Sequence, residues 1–121
     1  MDDPYTRQVA DQCGHQVVTY GLHPEYDYYI DHLSYNDLGF PSFDVYRKGE
    51  LLGHISLNVP GSYNALNALA AIGAATEVFH IPFSAIQTAL SGYHLAARRF
   101  EYVGEMKGMK IFHDYAHHPS E

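Results

Sequence analysis

The chain has 121 residues, of which 46% are hydrophobic and 17% charged, and 14 acidic against 7 basic residues give a formal net charge of -7. This composition is typical of an ordered domain and excludes a disordered chain, while the acidic balance argues against a surface that binds DNA or RNA. A lone cysteine, Cys13, excludes an internal disulfide, and no apolar run reaches the roughly 20 residues of a membrane span. We therefore expect a cytoplasmic protein with no nucleic-acid or membrane partner.

The first half of the chain predicts one helix followed by strands. Pro4 suits the first turn of a helix and Gly14 suits its end, which predicts a helix over residues 4–13. Runs rich in β-branched and aromatic residues, separated by turn residues, predict the strands that follow. These strands cover residues 16–20, 26–35, 43–47 and 51–57, and the last two form a β-hairpin.

The second half predicts two packed helices and another hairpin. The alanine-rich run 63–78 predicts a tightly packed helix. Pro82 opens a second helix, which ends before Ser91-Gly92. The inward face predicted for the first helix contains Leu66, Leu69, Ala70 and Gly73. Strands over 100–106 and 109–112 flank a two-residue Lys-Gly turn, so the whole pattern favours an α/β or α+β layered fold.

Asn64 and Asn67 are candidate base-binding residues. They lie three positions apart, which places both carboxamides on one side of a helix near its start. A carboxamide offers a donor and an acceptor together, the pattern that matches the edge of adenine. The alternative for Asn64 is that it only stabilises the helix start, whereas Asn67 lies further inside the helix, where such a role explains less.

Charged residues near the end of the chain are candidates for the rest of a nucleotide. Arg98 and Arg99 are adjacent, so in a strand they would point to opposite faces and only one would enter a shared site. A guanidinium binds phosphate oxygens through paired hydrogen bonds, and Asp114, at a strand end, can accept hydrogen bonds from ribose hydroxyls. The alternatives are a solvated arginine paired with a nearby glutamate and an ordinary turn-capping aspartate.

Histidines at positions 113, 117 and 118 form the densest group of possible metal ligands. Zinc requires three or four ligands in a definite geometry, and the sequence contains no partnering cysteine and no His-Glu-x-x-His motif. We predict no metal site from this group.

These motifs together resemble the ATP-dependent Mur ligases of bacterial cell-wall synthesis. Residues 64–71 (NALNALAA) resemble the adenine-contacting helix of that family, residues 98–101 (RRFE) its hinge, and residues 114–119 (DYAHHP) the entrance to its C-terminal domain. Residues 19–22 and 43–46 are similar to its central domain, so the resemblance covers nearly the whole chain. Tyr63 and His113 depart from the family, which commonly has histidine and aspartate at these positions.

The resemblance implies roles for six residues, none of them a catalytic acid or base. The implied contacts to the nucleotide come from Asn64, Asn67, Arg99, Asp114 and Tyr115, and the implied contact to the substrate from His118.

The resemblance also implies the reaction and its reactants. ATP and Mg²⁺ would be the cofactors, and UDP-N-acetylmuramate and L-alanine the substrates, joined through an acyl phosphate. The sequence contains no Gly-x-x-Gly-Lys-[Ser/Thr] phosphate loop, so that loop and the magnesium ligands are expected upstream of Met1.

We therefore expect a fragment that is inactive on its own. Residues 1–97 would be the end of a central ATP-binding domain with a mixed sheet, and residues 98–121 the hinge and the first strands of a Rossmann-like C-terminal domain. Two alternatives stay open: a ligase that recycles a murein tripeptide, and a non-catalytic nucleotide-binding module.

Overall fold

The structure, a computed structural model, describes residues 4–96 and 99–115. Within these residues the chain forms three helices and six strands. In order they are α1 (Pro4–Gln12), β1 (Tyr20–Gly21), β2 (Tyr28–Tyr35), β3 (Pro41–Arg47), β4 (Glu50–Ser56), α2 (Ser62–Glu77), α3 (Phe83–Ser91), β5 (Glu101–Met106) and β6 (Met109–His113). The predicted α/β class with a mixed sheet, a hairpin and packed helices is confirmed.

A four-stranded sheet in the order β1-β2-β3-β4 lies at the centre of the fold. β1 pairs with β2 in parallel, and the other two pairings are antiparallel. β3 and β4 are joined at Lys48-Gly49, whose φ angles of 49° and 87° are both positive. Such a turn matches the twist of two antiparallel strands, so the predicted hairpin is confirmed together with its physical cause.

The strand predicted over residues 16–20 is wrong for most of its length, because only Tyr20–Gly21 pairs. Thr19 instead donates its backbone N–H and its hydroxyl to Oδ2 of Asp27, at 2.9 and 2.8 Å. The backbone N–H of Asp27 donates in return to Oγ1 of Thr19 at 2.9 Å. These side-chain hydrogen bonds accompany a backbone hydrogen bond from the Tyr28 N–H to the Thr19 carbonyl, at 3.0 Å. β2 begins at Tyr28 rather than at residue 26.

Both helices α2 and α3 pack on the sheet. α2 lies against β1, β2 and β3, while α3 lies against β4 and α2. Leu69 and Gly73 are buried as predicted, but Leu66 and Ala70 are only partly buried, so the predicted inward face is wrong by about one position around the helix. The core is formed by Tyr28, Ile30, Phe43, Val45, Ile55, Leu57, Val59, Ala65, Ala68, Leu69, Ile72 and Ile86.

Helix α3 approaches the edge strand β4 closely, and a glycine makes this possible. Gly53 has a φ of 149°, and a methyl group on it would lie 2.8 Å from Cε1 of Phe83. The side chain of Gln87 donates a hydrogen bond to the backbone carbonyl of His54 at 2.6 Å. The helix is thus held against β4 by both packing and a polar contact.

Glu77, the last residue of α2, joins the helix to two strands. Its Oε1 accepts hydrogen bonds from the Tyr28 hydroxyl at 2.8 Å and from Nε of Arg47 at 2.9 Å. A second guanidinium nitrogen of Arg47 lies 2.7 Å from the same oxygen. The hydrogen bond from Tyr28, followed by that from Arg47, holds the pKa of Glu77 below its ordinary value, while burial and then Glu77 raise the pKa of Tyr28.

Hydrogen bonds also favour the charged form of two aspartates, Asp27 just before β2 and Asp44 in β3. The backbone N–H of Thr19 is the main cause of a lowered pKa at Asp27. Asp44 lies between two imidazoles, with Nδ1 of His54 at 2.8 Å and Nδ1 of His32 at 2.9 Å from its carboxylate oxygens. Hydrogen bonding to His54 and then to His32 lowers the pKa of Asp44, and the bond to Asp44 raises the pKa of His32.

We expect the fold to lose stability in acid. A carboxylate with a lowered folded-state pKa stabilises the fold above its unfolded pKa, and this contribution is lost as the pH falls through the folded value. For Asp27, Asp44 and Glu77 that loss falls at and below about pH 4. His32 acts in the opposite sense, since its contribution is complete below its ordinary pKa of 6.5 and is lost as the pH rises through the raised value.

Thermal unfolding followed between pH 7 and pH 2.5 tests this expectation. The melting temperature should fall towards pH 2.5, and Asp27→Asn should flatten that fall. Asp11→Asn, on the exposed side of α1, is the matched control and should leave the profile as it is. An equal fall in both variants and the parent chain would contradict a role for Asp27.

The second predicted hairpin is also confirmed. β5 and β6 form a separate antiparallel pair, and Lys107-Gly108 between them has positive φ angles like those of the first hairpin turn. The predicted domain boundary between residues 97 and 98 lies outside the described residues, and the Rossmann-like nature of the following domain stays a prediction. None of the described helices is long and apolar enough to cross a bilayer.

Candidate functional site

Asn64 and Asn67 lie at the start of α2, and the structure gives them different surroundings. Asn64 is 8% exposed, and its side-chain N–H donates to the Pro60 carbonyl at 2.7 Å. Asn67 is exposed and donates a long hydrogen bond, 3.4 Å, to Oδ1 of Asn64. Gly61, with a φ of 93°, is the residue that caps the helix, and no side chain forms a hydrogen bond there.

The two amides therefore differ in how much of their hydrogen-bonding capacity is already used. Part of the hydrogen-bonding capacity of Asn64 is used to fix the turn before α2, so this side chain positions the helix start and its neighbour. Within the part of the chain that the structure describes, the carbonyl oxygen and the second N–H of the exposed Asn67 amide form no hydrogen bond. Asn67 is therefore the better placed of the two to contact a base.

Arg99 lies just before β5 and Asp114 just after β6, so both are at the open end of the β5–β6 hairpin. Arg99 precedes β5 in a bend, where its backbone N–H donates to the Ala96 carbonyl at 3.2 Å. Because Arg99 is not in a strand, the expected alternation of two arginines across strand faces does not apply, and Arg98 lies outside the described residues. Asp114 follows β6 directly and is exposed. The pairing of Glu101 with His113 brings these two ends of the hairpin together.

One cleft of about 510 Å³ is lined by four of the predicted nucleotide residues. Asn64 and Asn67 come from α2, Arg99 from the segment before β5, and Asp114 from the end of β6. A neighbouring depression of about 350 Å³ shares Asn64 and Asn67 and is otherwise lined mainly by apolar groups such as Leu57 and Ala68. The cleft thus has amides beside an apolar surface in one part, and a guanidinium and a carboxylate in another.

Two predicted residues are not brought into this arrangement. Tyr115 is 63% exposed and is not among the described residues that line the cleft. His118 lies outside the described residues. Their predicted contacts stay predictions.

Five residues that line the cleft were not predicted as site residues: Tyr63, Tyr93, Leu95, Ala96 and Phe100. Tyr93 is half exposed and also borders the apolar depression. Its sequence signal was an aromatic residue directly after the helix-ending Ser91-Gly92 and shortly before the paired arginines. This segment connects the end of α3 to Arg99, so its side chains lie beside the cleft that Arg99 lines.

Among residues 4–96 and 99–115, no group of three or more His, Cys, Asp or Glu side chains is arranged to hold a metal ion. In the cleft itself, Asp114 is the carboxylate among the lining residues. The described residues therefore do not fit a magnesium site.

The fold and the cleft define a class: a mixed α/β domain whose first helix after the sheet faces a hairpin across a cleft with amide, guanidinium and carboxylate groups. A family model described as the Mur ligase middle domain matches residues 1–75. The chain belongs to the Mur ligase family.

Relatives with known names agree with this assignment. The UDP-N-acetylmuramate–L-alanine ligase of Clostridium acetobutylicum is 42% identical over 120 residues, and that of Alkaliphilus metalliredigens is 38% identical; each alignment covers 99% of this chain and 26% of the relative. The crystal structure of UDP-N-acetylmuramate-alanine ligase MurC from Thermotoga maritima is 28% identical with a TM-score of 0.71, over 85% of this chain and 24% of that one. The chain spans about a quarter of the length of the relatives it matches.

Proposed function

We propose that this chain forms the adenine and ribose side of the ATP site in a Mur ligase that adds L-alanine to UDP-N-acetylmuramate during peptidoglycan synthesis. The observation that carries the proposal is the single cleft lined by Asn64, Asn67, Arg99 and Asp114, which come from separate segments of the sequence. The named relatives, which are alanine-adding ligases, supply the substrates.

Each wall of the cleft suits one part of the nucleotide. The exposed Asn67 amide can pair with the amino group and a ring nitrogen of adenine, and the adjacent apolar depression can cover the base. Asp114 can accept hydrogen bonds from ribose hydroxyls, and the Arg99 guanidinium can bind phosphate oxygens. These residues bind and orient the nucleotide, and none of them has to transfer a proton.

In the proposed reaction, a carboxylate oxygen of UDP-N-acetylmuramate attacks the γ-phosphorus of ATP, which forms an acyl phosphate and releases ADP. The amine of L-alanine then attacks the acyl carbon, the nitrogen loses a proton to solvent as the amide bond forms, and inorganic phosphate leaves with the electron pair of the broken C–O bond. Positioning and charge neutralisation supply most of the rate in such phosphoryl transfers. We expect no ligase activity from this chain alone, because its sequence contains no phosphate loop.

The activity is tested with the full-length reading frame that contains this chain. ADP release is measured with UDP-N-acetylmuramate and either L-alanine or the murein tripeptide as the acceptor. We expect release that depends on L-alanine. Release with the tripeptide alone would assign the protein to the recycling ligases, and no release with either would leave a nucleotide-binding module.

The base contact is tested on the 121-residue chain by calorimetric titration with ADP and GDP. We expect ADP to bind about tenfold more tightly than GDP, because the Asn67 amide matches adenine and not guanine. Asn67→Ala should remove that preference while keeping α2, since alanine favours a helix. Ser62→Ala, five residues earlier in the same helix and outside the cleft, is the matched control. A preference unchanged in Asn67→Ala would assign base recognition elsewhere.

A further inference from the structure

Tyr63 adds a hydroxyl to the part of the nucleotide cleft where Asp114 lies. On that side the cleft adjoins a further depression of about 370 Å³, and Tyr63, Phe100 and Asp114 line both spaces. Asn64 and Asn67 instead border the cleft and the apolar depression. Tyr63 and Asp114 therefore belong to the same end of the cleft, and that end differs from the one where the amides meet the apolar surface.

The turn before α2 holds the Tyr63 ring in place. A methyl group on Gly61 would lie 2.6 Å from Cε1 of the ring, so the ring packs directly on the Gly61 backbone. That turn is itself fixed, because the Gly61 N–H donates to the Gly39 carbonyl at 3.1 Å and the Asn64 N–H donates to the Gly61 carbonyl at 3.2 Å. The side chain is still 52% exposed. Its hydroxyl is thus presented by a ring that is already ordered, which lowers the entropic cost of a contact to a ligand.

Tyr63 and Asp114 complement each other as hydrogen-bonding groups. Among the described residues, neither the Tyr63 hydroxyl nor the Asp114 carboxylate forms a hydrogen bond. A carboxylate only accepts hydrogen bonds, whereas a phenolic hydroxyl also donates one. A sugar hydroxyl can donate to the carboxylate and accept from the phenol at the same time. The pair therefore suits the adjacent hydroxyls of ribose better than the carboxylate alone would.

We propose that the Tyr63 hydroxyl donates a hydrogen bond to a ribose hydroxyl that is itself bound to Asp114, so that Tyr63 adds to a preference for ribonucleotides over deoxyribonucleotides. The inference rests on the proposed function, since it takes the cleft as a nucleotide site. A deoxyribonucleotide without this hydroxyl offers the tyrosine no acceptor, and the phenol then contributes nothing to its affinity.

The test is calorimetric titration of the full-length protein that contains this chain with ADP, 2′-deoxy-ADP and 3′-deoxy-ADP. Tyr63→Phe keeps the ring on Gly61 and removes only the hydroxyl. This substitution should weaken ADP binding about three- to tenfold, the effect of one neutral hydrogen bond. It should leave unchanged the affinity for the deoxynucleotide that lacks the contacted hydroxyl, and this difference identifies the hydroxyl as 2′ or 3′.

Tyr20→Phe is the matched control, because Tyr20 is 42% exposed on β1 and is not among the residues that line the cleft or the depressions beside it. It should leave all three affinities as they are. Equal losses for ADP and both deoxynucleotides in Tyr63→Phe, or no loss for any of them, would overturn the contact.

The same titrations separate this inference from the proposed function. If ADP does not bind to the parent protein, the nucleotide site fails and the inference fails with it. If Asn67→Ala or Arg99→Ala weakens ADP binding and Tyr63→Phe does not, the nucleotide site stands and the contact from Tyr63 alone is wrong.

Discussion

Phe43→Ala should lower the free energy of unfolding by about 3–5 kcal/mol, the loss usual for a buried phenylalanine. Phe43 lies in the middle of β3, is fully buried, and belongs to the core between the sheet and the two helices that cover it. Its replacement loses the free energy gained by burying the ring, and it also leaves a cavity. β3 cannot move to close this cavity, because it is hydrogen-bonded to β2 on one side and to β4 on the other. The loss is a large part of the roughly 5–15 kcal/mol available to a typical domain.

Urea unfolding followed by circular dichroism measures this change. The control is Leu51→Ala on β4, where the side chain is 57% exposed and the loss should stay within about 0.5 kcal/mol. If Phe43→Ala is too unstable to purify, Phe43→Leu should show a smaller loss in the same direction. Similar unfolding midpoints for Phe43→Ala and Leu51→Ala would show that β3 does not pack as described.

Arg99→Ala should weaken ADP binding by about 10- to 150-fold while leaving adenosine binding nearly unchanged. The difference arises because a guanidinium that binds phosphate oxygens contributes about 1.5–3 kcal/mol through charge-assisted hydrogen bonds, which adenosine cannot form. Arg99→Lys should weaken ADP binding less than Arg99→Ala does, since an ammonium keeps the charge but not the paired geometry.

Titration of each variant with ADP and adenosine separates the phosphate contact from the base contact. Arg7→Ala, on the exposed helix α1, is the matched control for the loss of one positive charge. Equal losses for ADP and adenosine would mean that Arg99 supports the shape of the cleft rather than the phosphates. No loss for either would remove Arg99 from the proposed site.

The sequence predicted the regular elements well where local chemistry decides them. Both hairpins have a Lys-Gly turn with positive φ angles, a requirement that two neighbouring residues express fully. Helix α1 ends before Gly14, as expected from a residue that tolerates a φ of 63°. Such signals need no knowledge of the rest of the fold.

The errors occur where distant residues decide the outcome. Most of the strand expected at residues 16–20 does not form, and Thr19 hydrogen-bonds to the Asp27 side chain, a contact that β propensity does not register. The buried face of α2 depends on the angle at which the helix meets the sheet, so Leu66 and Ala70 could not be excluded from the sequence pattern alone. In the cleft, Asn67 was predicted from its chemistry, whereas Tyr93 lines it because of the path of the chain after α3.

The hydrogen bond from Gln87 to the backbone of β4 helps to protect this edge strand from pairing with another chain. An edge strand presents unpaired carbonyl and N–H groups, and another chain can add to them as a further strand. At His54 the carbonyl is already satisfied by Gln87, and the close contact between Gly53 and Phe83 places a helix along the same strand. β4 therefore lacks an acceptor and part of the open space that an incoming strand would need, although it lies at the edge of the sheet.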